Sequence, residues 1–434
     1  MKYHELRVPV DSDPLHTVLN LVDAAGYEPY VVYESSGCWS YAGGAAYAVN
    51  ADGTGFYVDG RRQPSDGRHP LVQAGDIFQA APIENWHVYG WAAFELGAAW
   101  PTETEGILYS AVIPEVEVQV SDAGIFIRAL NPAVIPSLKE AALSRRSHRE
   151  HRGGDLTVHG MAYTFRRMVE SAVEEIGKTD LQKVILSRRL DVDGQVDLCA
   201  TYDKGRRANT PARSFLFDLG GLAAAGFSPE TVLELNRQEA TVQIVAGTRS
   251  AGEDDSAKET LQSDLKSDPK EIYEHAISVD ETLREIGEIS VPGTARVSEF
   301  LKVVHRGSVQ HLGSRIEATL AENINAWKAL SELFPGAAST GVPRRLAAEA
   351  IGRMEKTRRG LYGGAVFACD VNGNMDVALA LRSVFSRNGS TWLQVGAGVT
   401  SCSHPAREYE ETCEKLQSIV PFLVAAESQP HDAD

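Results

Sequence analysis

Short β-like runs broken by turn residues, passing without a flexible linker into alternating strands and helices, constrain this chain most. Up to about residue 132, YVVYESSGCWSYAGG, AAYAVNADGTGFYV with its Asp52-Gly53 turn, and HVYGWAAFELG predict strands. From Pro132 to about His159, a helix followed by a Ser-, Arg- and His-rich polar loop marks a candidate boundary. Beyond it Phe165, Met168, Val169, Ala172, Val173 and Ile176 recur at helical spacing, with Gly177 where a C-cap belongs. Lys183-Val184-Ile185-Leu186-Ser187 predicts a buried strand. Further strands (TVQIVAGT, TARVSEFLKVV, GGAVFACDV, MDVALALRSVF, TWLQVGAGV) alternate with helices near 269–287, 322–333, 344–355 and 405–424. No internal repeat interrupts this order. On length alone 434 residues would make two or three domains of ~150 residues. The absence of Gly/Ser linkers instead predicts one integrated α+β unit over 1–434: a strand-rich part at 1–159, a core at 160–424 and a frayed acidic tail at 425–434.

Composition narrows the partners. With 43% apolar residues the chain can bury a large core, and a formal charge of -17 opposes nucleic acid and anionic membranes. It also opposes a small dianion, unless a site supplies its own cations. Five cysteines without a C-x-x-C pair argue against a disulfide framework or zinc cage. The N-terminus has no signal-peptide pattern and no run approaches eighteen apolar residues, so a cytoplasmic, unexported protein is expected. Dinucleotide, P-loop, zincin and α/β-hydrolase motifs are missing. Gly396-Ala397-Gly398 reads as a tight turn.

Two helix starts carry paired carboxylates. Asp268 as N-cap, Pro269 at the first helical position and Glu271 at the capping-box offset open one helix, on which Glu271 and Glu274 share a face beside an apolar stripe of Ile272, Ala276, Val279, Leu283 and Ile286. On the other, Glu408, Glu411 and Lys415 share a face while Tyr409, Thr412, Leu416 and Val420 turn inward. Each pair alone reads as a solvated face; together they are donors suited to a hard cation such as Mg²⁺. Lys183, Glu230, Thr248 and Arg382 are polar residues in apolar surroundings, where burial can make a lysine a base and a carboxyl an acid. Periodicity alone cannot bring them together.

Taken in order, SPETVLEL, VAGTRSAG, SDPKEIYEHAISV, RGSVQHLGSRIEATL, ALSELFPGAASTGVP, RRGLYGGAVF, ALALRSVF and VGAGVTSCSHPAREYEETCEKL resemble the chorismate-utilising enzymes, which include anthranilate, aminodeoxychorismate, isochorismate and salicylate synthases. The resemblance spans at least residues 160–424. VVYESSGCWSYAGG, GWAAFELG and KEIYEHAISV are similar to the salicylate synthases of siderophore pathways. It implies a single large fold of two packed antiparallel β-sheets surrounded by helices, and catalytic roles for Lys183 as the base activating water and Glu230 as the acid protonating the departing C4 hydroxyl. His311 would stand beside the ring carboxylate. Gly247, Thr248, Tyr362, Arg382, Gly396 and Lys415 would hold substrate. Glu274 and Glu411 would bind Mg²⁺ directly, with Glu271 and Glu408 completing the shell.

Lys183 occupies a position where amine-using members resemble Gln, and Ala246 one where aminodeoxychorismate synthases carry a nucleophilic lysine, so water is the expected nucleophile and no glutaminase subunit is expected. Chorismate and isochorismate are the expected small-molecule partners, and a monomer is expected. In the family segment F-P-x-x-T-x-S-G-x-P-K, Ala338 replaces the Thr and Arg344 the Lys. Two readings therefore stand: a salicylate synthase that eliminates pyruvate from isochorismate, and an isochorismate synthase that stops before that step.

Overall fold

Alternating inward and outward side chains assemble the strands into two antiparallel sheets. A computed structural model describes residues 1–9, 12–97, 106–144, 156–160, 162–252 and 254–426. The first sheet runs His4–Val8, Gly124–Ala129, Val116–Ser121, Cys38–Gly43, Tyr30–Ser35, Arg213–Leu219, Leu222–Ser228, Ser383–Arg387, Ser390–Val399, Lys183–Asp193, Thr157–His159, with Gly341–Val342 also on the Lys183 strand. The second runs Arg296–Arg306, Val309–Thr319, Glu239–Ser250, Thr231–Asn236, Met375–Leu379, Ala365–Asp370, His87–Ala92, Tyr109–Ile113, Tyr47–Asp52, Gly55–Val58, Arg61–Gln63. Each sheet thus joins a block of strands from before residue 156 to a block from after it.

Between the sheets Tyr33, Phe215, Phe217 and Phe385 of the first meet Tyr89, Trp91, Val366 and Ala378 of the second. Each such large side chain contributes about 1.5–3 kcal/mol on leaving water. Helices Pro14–Ala24, Ile135–Leu143 and Leu198–Ala208 pack on the first sheet, and Pro70–Gln79, Ala326–Leu333 and Pro269–Glu288 on the side of the second. Ala162–Ile176 and Arg344–Met354 pack on the strand that begins at Lys183. No helix among the described residues is long and apolar enough to cross a membrane. No disulfide joins any of the five cysteines.

Several expectations change. MDVALALRSVF is two strands rather than one: Met375–Leu379 belongs to the second sheet and Ser383–Arg387 to the first, and the chain crosses between them at Arg382, whose φ is +49°. Gly396-Ala397-Gly398 lies in the last part of the strand Ser390–Val399 instead of in a turn. The helix expected over 322–333 starts at Ala326, capped by Asn325, and that expected over 405–424 stops at Leu416 before a short turn at Val420–Phe422. Thr157–His159, read as loop, pairs with Asp191–Asp193. The basic segment before it, and all but the first two residues of the acidic tail, lie outside the described residues.

Candidate active site

Where the two sheets and two helices meet, a cavity with an empty volume of about 780 Å³ is lined by Lys183, Glu230, Gly247, Thr248, Glu274, His311, Tyr362, Arg382, Gly396, Glu411 and Lys415 among others. Eleven of the thirteen residues singled out from the sequence therefore share one wall system. Glu271 and Glu408 sit just behind it, and the carboxylate faces of both helices are buried rather than solvated.

Lys183 opens its strand with its ammonium 2.9 Å from Ser278 Oγ and 3.2 Å from Glu274 Oε1, so its surroundings are polar, unlike the apolar wall read from its sequence neighbours. Two glycines on the neighbouring strand make room, Gly398 for the Lys183–Glu274 pair and Gly396 for Tyr362. A Cβ at Gly398 would lie 2.1 Å from Glu274 Oε1 and 3.1 Å from Lys183 Cε, and one at Gly396 would meet the Tyr362 hydroxyl at 2.7 Å. Close approach, rather than turn formation, is what these glycines provide.

On the second sheet, a bulge at Gly247, with φ +77°, aims Thr248 and the Gly247 carbonyl at His311. His311 Nδ1 lies 3.0 Å from that carbonyl, which can only accept, so Nδ1 carries the proton and Nε2 faces Arg382 Nη2 as acceptor. Burial, then the Arg382 and Lys415 charges, push the His311 proton affinity well below the usual histidine range. The ring is a neutral support for the arginine.

Arg382 is 8% exposed, and among the described residues its guanidinium bonds only to His311 and, at 3.2 Å, to the Arg306 carbonyl. No carboxylate pairs with it among the described residues. Burial and the Arg306 charge pull it down to about 9. Glu230, held by the Val245 amide at 3.1 Å, is pushed up to about 8 by burial, against that hydrogen bond and the Lys183 charge. It is a protonated carboxyl at neutral pH.

Asp268 caps its helix through the Lys270 and Glu271 amides, but Glu271 does not reach back to complete a capping box; it turns to Arg249, 3.2 Å away. Instead four carboxyl groups from two helix starts surround Lys270. Its Nζ lies 3.0 Å from Glu274, 3.3 Å from Glu408, 3.5 Å from Glu271 and 4.0 Å from Glu411. Lys415 adds a 2.7 Å pair to Glu411 and bonds the Gly396 carbonyl at 3.0 Å. Burial and the neighbouring Glu411 push Glu271 and Glu408 up, while Lys270 and Lys183 hold Glu274 down against its burial. Glu271 Oε2 and Glu408 Oε2 are buried without a hydrogen-bond partner.

The sequence of residues 29–421 matches the model of the family described as chorismate binding enzyme. The chain belongs to that family. It is 37% identical to a salicylate synthase of Mycolicibacterium paratuberculosis over 96% of this chain and 95% of that protein, and 34% identical to anthranilate synthase component 1 of Mycobacterium bovis over 60% of this chain and 52% of that one. Among solved structures it resembles the menaquinone-specific isochorismate synthase of Escherichia coli (TM-score 0.75, 21% identity, 96% of this chain and 94% of that one). It also resembles a 2,3-dihydroxybenzoate-specific isochorismate synthase, putative in its own description, from Bacillus anthracis (TM-score 0.72, 22% identity, 94% and 99%). The protein is a chorismate-utilising enzyme of the isomerase and lyase kind.

Within this chorismate-binding fold, sequence reading missed Lys270, Ser278 and Arg249. The first two carried a readable signal: Lys270 is four residues before Glu274 and Ser278 four after it, on one helical face. Arg249 carried none, because the partners that place it, Asp264 and Asp268, belong to other elements.

Proposed function

We propose that the chain is a Mg²⁺-dependent salicylate synthase, converting chorismate through isochorismate to salicylate and pyruvate, with the product used for siderophore or other secondary-metabolite synthesis. In this reading it acts as one integrated unit, a cytoplasmic monomer without a glutaminase subunit. The observation that carries the reading is a buried guanidinium without a carboxylate, Arg382, in the same cavity as a lysine and a protonated carboxyl. An anionic substrate supplies the missing partner through bidentate hydrogen bonds. The relative from Mycolicibacterium paratuberculosis, matched over nearly its whole length, supports the same choice.

Lys183 takes a proton from water as the oxygen attacks C2, and Glu230 gives its proton to the hydroxyl leaving C4. A neutral His311 holds Arg382, and Arg382 grips the enolpyruvyl carboxylate. Lys415, Thr248 and the Gly396 backbone hold the remaining polar groups. The isochorismate then passes the hydrogen on C2 to the enolpyruvyl methylene as the C3–O bond breaks, which releases pyruvate and needs positioning more than acid and base. The four glutamates fit Mg²⁺ by donor chemistry, and two of their oxygens lack partners. When bound, the ion would neutralise Glu274 and Glu411 and hold a substrate carboxylate.

Incubation of the purified protein with chorismate and Mg²⁺, following pyruvate and salicylate fluorescence, tests this; both should rise together. A second reading, an isochorismate synthase, is favoured by one observation: Ala338 lies on the cavity wall, whereas Arg344 points away to Glu285 at 2.7 Å. Isochorismate accumulating without pyruvate would select it.

A further inference from the structure

Lys270 has no role in the chemistry just proposed, yet its ammonium is the centre of the carboxylate cluster, with oxygens of all four glutamates 3.0 to 4.0 Å away. Its ion pairs among the described residues are those four and no others. The other cations at the cluster have anchors outside it: Lys183 on Ser278, Lys415 on the Gly396 carbonyl, Arg249 on Asp264 and Asp268. A lysine in the first turn of a 20-residue helix is also at the wrong end for the helix dipole, which favours anions there. The cluster, rather than the helix, holds it in place.

Mg²⁺ needs oxygens at about 2.0–2.1 Å in near-octahedral order. Among the described residues no three acidic, His or Cys side chains converge closely enough to hold a metal as now arranged. The oxygens are spread around an ammonium instead, and two of them, Glu271 Oε2 and Glu408 Oε2, are buried and unpartnered. A divalent ion and the Lys270 ammonium cannot share this centre, because the carboxylates must close inward on one or the other.

We propose that Lys270 is a built-in counter-cation of the metal-free enzyme: it fills the divalent-cation position, holds the four glutamates apart, and must swing out for the metal to enter. Resting on the Mg²⁺ reading above, the inference adds that metal affinity is set by competition with a side chain of the same helix. Lys270 is 15% exposed along its side chain, so part of it already touches solvent.

The test needs no turnover. Mg²⁺ binding to the full-length, metal-stripped protein is measured by calorimetry without chorismate, for the wild type and for Lys270→Met. The variant should bind at least tenfold more tightly. Its metal-free form should melt lower than the wild type, with Mg²⁺ recovering the difference. Because that variant leaves buried carboxylates uncompensated and can fail to fold without metal, a second measurement uses the wild type alone. Acylation of Lys270, followed by peptide mass spectrometry, should accelerate several-fold on Mg²⁺ saturation as the ammonium is expelled. Equal Mg²⁺ affinity in folded variant and wild type, or a Lys270 acylation rate unchanged or slowed by Mg²⁺, overturns the competition while leaving the metal reading intact. No Mg²⁺ binding to either protein overturns both.

Discussion

Two buried arginines are wired in opposite ways. Arg359, 2% exposed, pairs with Glu355 at 2.6 and 2.9 Å, bonds the Ser339 and Ile185 carbonyls at 2.7 and 2.6 Å, and lies over the Phe94 ring. Glu355 in turn accepts from the amide and hydroxyl of Ser187. Arg382 has a neutral histidine and one carbonyl. Burial works against both charges, but Glu355 more than offsets it for Arg359, while Arg382 is pulled down. A saturated buried charge holds structure. An unsaturated one waits for a ligand, and its desolvation is a cost carried by the empty site.

That contrast can be broken in four ways. The largest effect belongs to the site: Lys183→Ala should lower kcat by roughly 10²–10⁴-fold while retaining Mg²⁺ binding and the folded circular dichroism spectrum. Turnover close to wild type would refute the assignment of the base. On the structural side, Arg359→Met should cost about 3–5 kcal/mol, because Glu355 is left buried and unpaired. A lowered urea midpoint reports it, and an unchanged midpoint would mean that the two arginines are alike. Arg382→Met should leave the midpoint unchanged or raised, yet raise the KM for chorismate by about tenfold to a hundredfold, the worth of a charge-assisted hydrogen bond.

The smallest effect is on pH. In the proposed reaction Glu230 is the acid and is protonated below about 8, so its contribution to kcat/KM should be level below that pH and fall about tenfold per unit above it. The sign for stability is the same. A carboxyl whose folded value is raised binds its proton more tightly folded than unfolded, so stability falls as pH rises from about 4.5 toward 8. Glu230→Gln should reduce that slope by its own share, leaving the part due to the raised Glu271 and Glu408; a slope of equal size in the variant would place its origin elsewhere.

Much of the site was legible because chemistry and local pattern agreed. Asp268-Pro269 starts a helix wherever it stands, and Glu271/Glu274 and Glu408/Glu411 had to share faces by helical geometry alone. What could not be read is which face is buried. The apolar stripe of the first helix leaves Ile272, Ala276 and Leu283 only half-buried, while Glu271, Glu274, Ser278 and Glu281 are interior. A polar face goes inward only when partners from distant segments meet it, and no local period records those partners. The strand break in ALALRSVF was hidden for a related reason: apolar residues run through it, and nothing nearby shows that Arg382 must adopt a left-handed backbone. Gly398 was visible as a glycine, but its reason, Glu274 one residue's width away, is more than a hundred positions earlier.

The crossing at Arg382 also makes the residue proposed to grip substrate a mechanical joint. The strand before it is hydrogen-bonded into one sheet and the strand after it into the other, so a load that separates the sheets is transmitted through this residue. A carboxylate locked onto its guanidinium acts as a tie across the joint, and the occupied enzyme should be the stiffer body in the direction that pulls the two sheets apart.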